Sequence, residues 1–283
     1  MALISVIVTT YNRPDALRVC LESLSAQTDR DFEILIADDG SDHRTRELIA
    51  RRALELRDKM AMQHIFHEDL GFRAGAIRNK AVAASRGEYI VFMDGDCIAF
   101  PDFIAMHRKL AEPGFFVPGN RILISPGYTA EILRNNMALH TKPWLYFWGL
   151  FLTGKINHIG SLLRLPLGRL RRLQARKWKQ AKTCNLGLWK SDFQRVNGFD
   201  ELFEGWGYED SDLVIRMIHR GIRRKSGRHR IPVLHLWHTN NDRSRADVNR
   251  KRLLARASNP EFIFAEKGFN QYTESAPGAD PGL

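Results

Sequence analysis

The feature that most limits how this chain can fold is a regular alternation of short apolar stretches with helical patterns along its first hundred residues. The stretches "ISVIVTT", "FEILIAD", "AMQHIFHE" and "YIVFMD" are rich in β-branched or other apolar residues. After the first of them, Leu17, Leu21 and Leu24 lie on one face of a predicted helix. Strands alternating with helices at this spacing indicate βαβ crossovers. We therefore predict an α/β fold with a mostly parallel, Rossmann-like sheet and flanking helices.

The predicted strands end in polar or acidic residues. Thr9 lies near the end of the first strand, Asp38 and Asp39 end the second, and Asp94 and Asp96 follow the fourth. In open α/β sheets, ligands bind outside the carboxyl ends of the strands. We expect these side chains to converge on one crevice.

The sequence "DGD" at residues 94–96 has two competing interpretations. Residues two apart on a strand share a face, so Asp94 and Asp96 would direct their oxygens to one point and repel each other unless a cation joins them. Mn²⁺ and Mg²⁺ prefer oxygen ligands and bridge phosphates. Asp-Gly-Asp is also favourable turn sequence. The motif by itself leaves both a metal site and a simple turn open.

A second acidic group occurs in "FEGWGYEDSDL", residues 203–213. Trp206 lies between two glycines, and Glu209, Asp210 and Asp212 crowd the first turn of a predicted helix. Helix capping explains one or two acids at such a place, but not three. A carboxylate beside a flat aromatic ring suits the deprotonation of a sugar hydroxyl, with the sugar stacked on Trp206.

Two histidines end the last predicted strand, in "LHLWHTN". Each of them, taken alone, is more typical of a polar packing residue than of a metal ligand. Close to two aspartates the metal interpretation gains weight. His238, at the mouth of the strand, is the better placed of the two to complete a mixed oxygen and nitrogen site. His235 is either a further ligand or a packing residue.

The formal net charge of +11 is concentrated in one segment. Residues 132–191 contain 12 Lys and Arg but no Asp or Glu, and they include the aromatic run "PWLYFWGLFLT". This run is far shorter than the ~20 residues of a membrane-spanning helix. We predict a basic amphipathic helical insertion that lies on an anionic membrane surface. The alternatives are an ordinary amphipathic helical pair packed on the core, and a nucleic-acid-binding surface.

Cysteine usage and the first residues bear on the compartment. Cys20, Cys97 and Cys184 are an odd number at unrelated spacings, so neither a disulfide framework nor a structural zinc site is indicated. The start "MALISVIVTTYNRP" lacks the features of a signal peptide. We expect a cytoplasmic protein.

The chain divides into four predicted regions. Residues 1–125 form the strand-rich first part, 126–182 the basic aromatic insertion, 183–270 a further part with acidic and histidine-containing motifs, and 271–283 a tail whose composition is typical of disorder.

Several of these stretches together resemble a known family. In order, "SVIVTTYNRP", "ILIADDGS", "GFRAGAIRNKAVAASRGEYIVFMDGDC" and "NGFDELFEGWGYEDSDLVIRM" are similar to the successive motifs of glycosyltransferase family 2, which has the GT-A fold. The carboxyl part resembles the galactosyltransferase-type C-terminal module. The resemblance covers roughly residues 4–124 and 183–240. It implies that residues 1–125 are a nucleotide-sugar-binding half and that residues 183–270 are an acceptor-binding and catalytic part.

The resemblance implies a UDP-sugar donor, a bound Mn²⁺ or Mg²⁺, and inversion at the anomeric carbon. It makes Asp94 and Asp96 the DxD motif, with Asp96 the surer metal ligand, and it makes His238 a metal ligand as well. It makes Asp210 the catalytic base, with Glu209 orienting the acceptor. The residues it assigns to the donor site are Thr9, Tyr11, Asp38, Asp39, Arg73, Arg78 and Asp94.

The predicted function is therefore a metal-dependent inverting glycosyltransferase. Its acceptor would be a hydroxyl of a lipid-linked bacterial surface glycan such as lipopolysaccharide core, O-antigen or capsule. The basic insertion would hold the enzyme at the inner face of the cell membrane. Two alternatives come from other classes of protein: a nucleic-acid binder that uses residues 132–191, and a catalytically inactive relative that binds nucleotide sugars.

Overall fold

The computed structural model describes residues 2–239 and 242–273 of the chain. The strands are β1 Ile4–Thr10, β2 Phe32–Asp38, β3 Ala61–Phe66, β4 Tyr89–Asp94, β5 Cys97–Ala99, β6 Phe115–Pro118, β7 Asn120–Leu123, β8 Asn185–Trp189, β9 Arg223–Arg224 and β10 Pro232–His235. The α-helices are α1 Pro14–Ser25, α2 His43–Leu56, α3 Ala74–Ala84, α4 Phe103–Leu110, α5 Pro126–Asn135, α6 Trp144–Leu152, α7 Lys190–Arg195, α8 Glu209–His219 and α9 Ala246–Ala257.

Seven strands form the main sheet, in the order β3-β2-β1-β4-β8-β6-β9. β3, β2, β1 and β4 run parallel, whereas β8 is antiparallel to both of its neighbours. The register pairs Thr10 with Asp38 and Thr9 with Asp94, so the carboxyl ends of three strands meet at one edge. The predicted mostly parallel α/β sheet with flanking helices is confirmed.

Alternate residues of the central strands face two different cores, because successive side chains of a strand point to opposite faces. On one face, Val6 and Val8 pack with Leu17 and Leu21 of α1. On the other, Ile7 packs in a second cluster that includes residues of α3, α7 and α8. Helices therefore cover both faces, as the apolar composition of β1, β2 and β4 requires.

A second, three-stranded sheet lies beside the first, in the order β5-β10-β7. β5 follows β4 after a turn at Gly95 and Asp96, and Cys97 of β5 pairs with His235 of β10. A Cβ atom on Gly95 would lie 3.0 Å from the carbonyl oxygen of Thr9, which explains glycine at the centre of this turn. β10 is a strand, as predicted, but it belongs to the small sheet.

The predicted basic insertion, residues 126–182, contains two α-helices, α5 and α6. α6 is a nine-residue helix of almost entirely apolar sequence, and the residues between it and β8 form short 3-10 segments and irregular chain. In the most basic stretch, the buried Arg171 donates hydrogen bonds to the carbonyl oxygens of Ser226 and Arg228. Arginines here hold irregular backbone in place instead of forming the polar face of a helix.

Two predictions concern the membrane and the tail. Among the described residues, no helix is both long enough and apolar enough to cross a bilayer. The predicted disordered tail begins at residue 271, but Phe269–Tyr272 forms a 3-10 helix, so the first two residues of that region are ordered. Residues 274–283 of the predicted tail lie outside the described residues.

Candidate active site

A cleft of about 600 Å³ opens where β1, β2 and β4 end, bordered by the start of α8 and the end of β10. It brings together side chains that are far apart in the sequence. The predicted site residues that line it are Thr9, Tyr11, Asp39, Arg78, Asp94, Asp96, Trp206, Glu209, Asp210, His235 and His238. Asp38 and Arg73 are not among the lining residues. The predicted crevice is therefore present.

The two acids at the end of β2 have different environments. Asp38 is fully buried, lies 2.9 Å from His64 Nε2, and accepts a hydrogen bond from the Ser41 backbone N–H. Burial opposes its charge, but these hydrogen bonds prevail and lower the pKa of Asp38. Asp39 lines the cleft, and its Oδ1 lies 2.6 Å from His67 Nε2. Asp38 is placed to support the loop below the cleft, whereas Asp39 can reach a ligand.

Arg73 and Tyr11 help to shape the wall next to Asp39. The Arg73 backbone N–H donates to Asp39 Oδ2 at 3.0 Å, while the Arg73 guanidinium donates to the carbonyl oxygen of Glu68. The Tyr11 hydroxyl donates to Asp69 Oδ2 at 2.8 Å, and its side chain is about half exposed. Arg73 thus fixes the position of Asp39, and Tyr11 presents its ring to the cleft.

Arg78 of α3 connects three segments of the chain beneath the cleft. It is buried, with 4% of its surface exposed. Its Nε donates to Thr9 Oγ1 at 2.9 Å, and its two terminal nitrogens lie 3.1 Å from Glu209 Oε1 and 3.3 Å from Asp94 Oδ1. Burial opposes its charge, but the two carboxylates raise the pKa of Arg78. Arg78 therefore holds these three segments together and also lines the cleft.

Asp94 and Asp96 do not share a strand face, because β4 ends at Asp94 and Asp96 lies in the turn that follows. Their partners differ accordingly. Asp94 bonds to Arg78, whereas Asp96 Oδ2 accepts a hydrogen bond of 2.6 Å from Arg13 Nη1. Burial raises the pKa of Asp94 despite the nearby Arg78. The turn interpretation of "DGD" is correct for the backbone, but a turn does not exclude a metal ligand at Asp96.

Asp96 lies among side chains that suit a divalent cation. Its Oδ1 is 3.5 Å from His235 Nε2, and its Oδ2 is 3.6 Å from His238 Nε2. The Cys97 thiol, Asp96 and His235 also offer ligand atoms within 4.8 Å of one another. Atoms that share one ion at the usual bond lengths of about 2.0 to 2.2 Å stand at comparable separations. Asp94 is not part of this group; Asp96, His235 and His238 fit an ion.

The first turn of α8 carries the second acidic group. Asp210 Oδ1 lies 3.4 Å from Lys182 Nζ and accepts a hydrogen bond of 3.2 Å from Ser211 Oγ. Among the residues that the structure describes, no hydrogen bond engages its Oδ2. Burial and the adjacent Asp210 raise the pKa of Glu209, although Arg78 opposes this. Asp210 therefore has one carboxylate oxygen held and one available.

Trp206 and Asp212, the other two candidate residues in this part of the chain, have different roles. Trp206 lines the cleft, and the Arg243 guanidinium lies 4.6 Å from the centre of its ring. Asp212 is fully buried and forms ion pairs with Arg216 and Arg256 at 2.8 and 2.9 Å. Asp212, the third acid of "EDSD", therefore has a structural role. This explains why the start of α8 contains more acids than helix capping requires.

Four cations in the cleft are not among the residues predicted from the sequence, namely Arg13, Arg121, Lys182 and Arg243. Arg13 lies inside the motif "TTYNRP", which offered a signal for it. Lys182 was counted only as part of the basic segment. Arg121 follows a glycine and an asparagine in "VPGNRILI", a stretch with no catalytic pattern.

Two protein families match successive parts of the chain. The family described as "Glycosyl transferase family 2" matches residues 5–163, and that described as "N-terminal domain of galactosyltransferase" matches residues 174–239. A validoxylamine A glucosyltransferase of Streptomyces hygroscopicus subsp. jinggangensis is 29% identical over 238 residues, covering 78% of this chain and 52% of the relative. A chondroitin synthase of Escherichia coli is 25% identical over 239 residues, covering 77% and 32%. The chain spans about half the length of the first of these relatives and less of the second.

Solved structures share the fold. A mannosyltransferase from Pyrobaculum calidifontis in complex with GDP-Man and Mn²⁺ aligns with a TM-score of 0.59 at 18% identity, covering 90% of this chain and 63% of that one. GalNAc-T7 with UDP, GalNAc and Mn²⁺ aligns with a TM-score of 0.60 at 15% identity, covering 86% and 46%. The expected GT-A fold is confirmed.

Proposed function

The chain belongs to glycosyltransferase family 2, and we propose that it is a metal-dependent, inverting hexosyltransferase that takes its sugar from a UDP-sugar. One observation carries the proposal. The group of Asp96, His235 and His238 lines the same cleft as Asp210, a carboxylate with one oxygen available. A cation site and a separate base are the two parts that a single displacement of a nucleoside diphosphate requires.

Asp96, His235 and His238 would hold the ion, which we take to be Mn²⁺ or Mg²⁺. When bound, such an ion stabilises the negative charge that develops on the departing diphosphate. A set of one carboxylate and two imidazoles suits Mn²⁺ better than Mg²⁺, since Mg²⁺ prefers oxygen ligands alone. The Mn²⁺ in the complexes of the mannosyltransferase and of GalNAc-T7 supports this choice.

Asp210 would accept the proton of the attacking hydroxyl. The ion pair with Lys182 and the hydrogen bond from Ser211 hold its Oδ1, so the carboxylate keeps one orientation while Oδ2 remains open to the acceptor. Glu209, fixed by Arg78, would orient the acceptor sugar, and Trp206 would stack against its apolar face. One base and no protein nucleophile lead to inversion at the anomeric carbon.

The donor would occupy the part of the cleft beside β1 and β2. Tyr11 and Asp39 would contact the nucleoside, and Thr9 and Asp94 would contact the donor alongside Arg78. Asp38 and Arg73, which were predicted as direct contacts, would act through the loop and through Asp39 respectively. The UDP bound in the GalNAc-T7 complex supports a UDP-sugar as the donor.

The acceptor would be a lipid-linked bacterial surface glycan, and the enzyme would reach it at the inner face of the cell membrane. α6 supports this part of the proposal. Its Trp144, Leu145 and Leu152 are 59%, 65% and 78% exposed, whereas Phe147 and Leu150 are buried against the core beside the small sheet. Exposed tryptophan and leucine within a segment rich in Lys and Arg are typical of a surface that inserts into an anionic leaflet.

A donor screen tests the proposed reaction. The full chain is incubated with Mn²⁺ and UDP-glucose, UDP-galactose or UDP-N-acetylglucosamine, and thermal shift and UDP release are measured. We expect one donor to raise the melting temperature in a Mn²⁺-dependent way and to yield UDP. NMR of a transferred product would then show the opposite anomeric configuration to that of the donor. Stabilisation that is the same with EDTA as with Mn²⁺ would contradict the proposed metal dependence.

A further inference from the structure

The described residues that line the cleft include five Lys and Arg side chains, and most of them have a clear partner. Arg13 forms an ion pair with Asp96 at 2.6 Å, and Lys182 forms one with Asp210 at 3.4 Å. Arg78 pairs with Glu209 at 3.1 Å and with Asp94 at 3.3 Å. Arg243 lies over the Trp206 ring. Arg13, Arg78 and Lys182 therefore neutralise acids of the site itself.

Arg121 is different. In residues 2–239 and 242–273, no carboxylate oxygen lies within the 4.0 Å ion-pair distance of its guanidinium. The residue lines the cleft and is exposed there. A positive charge that faces a ligand cleft without a carboxylate in ion-pair contact is available for an anionic ligand.

The position of Arg121 relates it to the proposed ion site. It lies on β7, opposite Val233 of β10, and Leu123 lies opposite His235 in the same register. Residues two apart on a strand share a face, so Arg121 and His235 lie on the same side of the small sheet. Arg121 therefore lines the same cleft as His235 and lies on the same side of the small sheet.

We propose that Arg121 binds the diphosphate of the donor, together with the ion and on the opposite side from the nucleoside contacts; this inference rests on the proposed function. A nucleoside diphosphate carries more negative charge than one divalent cation neutralises. The planar guanidinium presents a fork of donors that matches phosphate oxygens. Arg121 supplies the remaining positive charge and holds the leaving group.

The test measures the affinity of the full chain for UDP and for uridine, with Mn²⁺ present, in Arg121→Met and in the parent protein. Hydrogen bonds to charged groups correspond to affinity changes of about 10- to 100-fold. We expect Arg121→Met to weaken the affinity for UDP by about that factor. The affinity for uridine should stay the same, because uridine has no phosphate. Arg121→Lys should recover part of the UDP affinity, since it restores the charge without the fork. Arg51→Met, at an exposed arginine of α2, is the matched control and should bind UDP normally.

The possible results separate this inference from the proposed function. If the parent protein binds UDP with Mn²⁺ and Arg121→Met binds it equally well, the inference fails and the proposed function stands. An equal loss for UDP and uridine would also overturn the inference, because it would indicate a general change in the cleft. If the parent protein binds no UDP, both fail.

Discussion

One end of the cleft, which we call the ion end, contains Asp96, His235 and His238, which come from a turn and from the end of a strand. The Asp96 carboxylate oxygens lie 3.5 Å from His235 Nε2 and 3.6 Å from His238 Nε2. At the other, the base end, Glu209 and Asp210 occupy the first turn of α8. Each carboxylate at the base end has its own cationic partner from the chain.

The difference indicates what each end is built to receive. At the base end Arg78 and Lys182 pair with the two carboxylates, which keeps each of them in one orientation. Asp96 at the ion end also pairs with a cation, Arg13, at 2.6 Å, but its carboxylate lies beside two imidazoles, a set that suits a divalent ion. Arg78 joins the ends, since it contacts both Glu209 and Asp94, the residue that precedes the Gly95–Asp96 turn.

The largest expected effect is at the base end. Asp210→Asn keeps the shape and removes the proton acceptor, so sugar transfer should fall by about 10²- to 10⁴-fold. Initial rates with a saturating acceptor measure this, with a thermal melt to confirm folding. Transfer within a factor of about two of the parent rate would remove Asp210 from the role of base, given the range that general bases contribute.

Replacing Arg78 should damage both ends together. Arg78→Met leaves Glu209 and Asp94 without their shared partner, and removing one member of a buried ion pair typically costs about 3 to 5 kcal/mol. Chemical denaturation measures the loss of unfolding free energy. The double variant Arg78→Met, Glu209→Gln should recover part of it, because one uncompensated carboxylate is removed. A double variant no more stable than the single one would argue against coupling through Glu209.

A smaller change is expected from a single ligand at the ion end. His238→Ala leaves Asp96 and His235 in place, so Mn²⁺ affinity should fall by about tenfold, which corresponds to ~1.4 kcal/mol. Electron paramagnetic resonance of free Mn²⁺ measures this directly. His219→Ala, on the far end of α8 and bonded to the Phe262 carbonyl, is the control and should leave Mn²⁺ binding intact. Unchanged affinity in His238→Ala would move the ion to another group.

The smallest effect on catalysis should come from α6. Trp144→Ser with Leu152→Ser should weaken binding to anionic liposomes severalfold and leave transfer to a soluble acceptor unchanged. Leu54→Ser, a leucine of α2 that is 70% exposed, serves as the matched control. Sedimentation with liposomes of increasing anionic lipid content is the measurement. Strong, structure-selective binding to polynucleotide, with no preference for liposomes, would favour the nucleic-acid alternative.

Much of the fold was predictable because the central strands are continuous apolar runs separated by helices with clear periodicity. The small sheet was not, although its strand β10 was predicted, since β5 has three residues and β7 has four, too few to show a period. The composition of residues 132–191 did not show that the helices, α5 and α6, lie before the most basic part of the segment. Pro166 and Gly168 interrupt the basic part, and Arg171 finds backbone carbonyls as partners.

The site residues, too, could be predicted only where the local sequence indicates their chemistry. Short motifs pointed to Asp94, Asp96, Asp210 and the two histidines. Only tertiary structure reveals that Asp38 turns towards His64 while the adjacent Asp39 faces the cleft. Lys182 and Arg121 carried no local signal, since a cation's role depends on which acid, if any, lies beside it.

Our central claim is that the two ends of the cleft perform separate tasks, and calorimetric titration of UDP with and without Mn²⁺ tests it most directly. Asp210→Asn should bind UDP as tightly as the parent protein and show the same gain from Mn²⁺. Asp96→Ala should lose that gain. If both variants lost the Mn²⁺-dependent gain in UDP affinity equally, or if Asp210→Asn alone lost it, the claim would be contradicted.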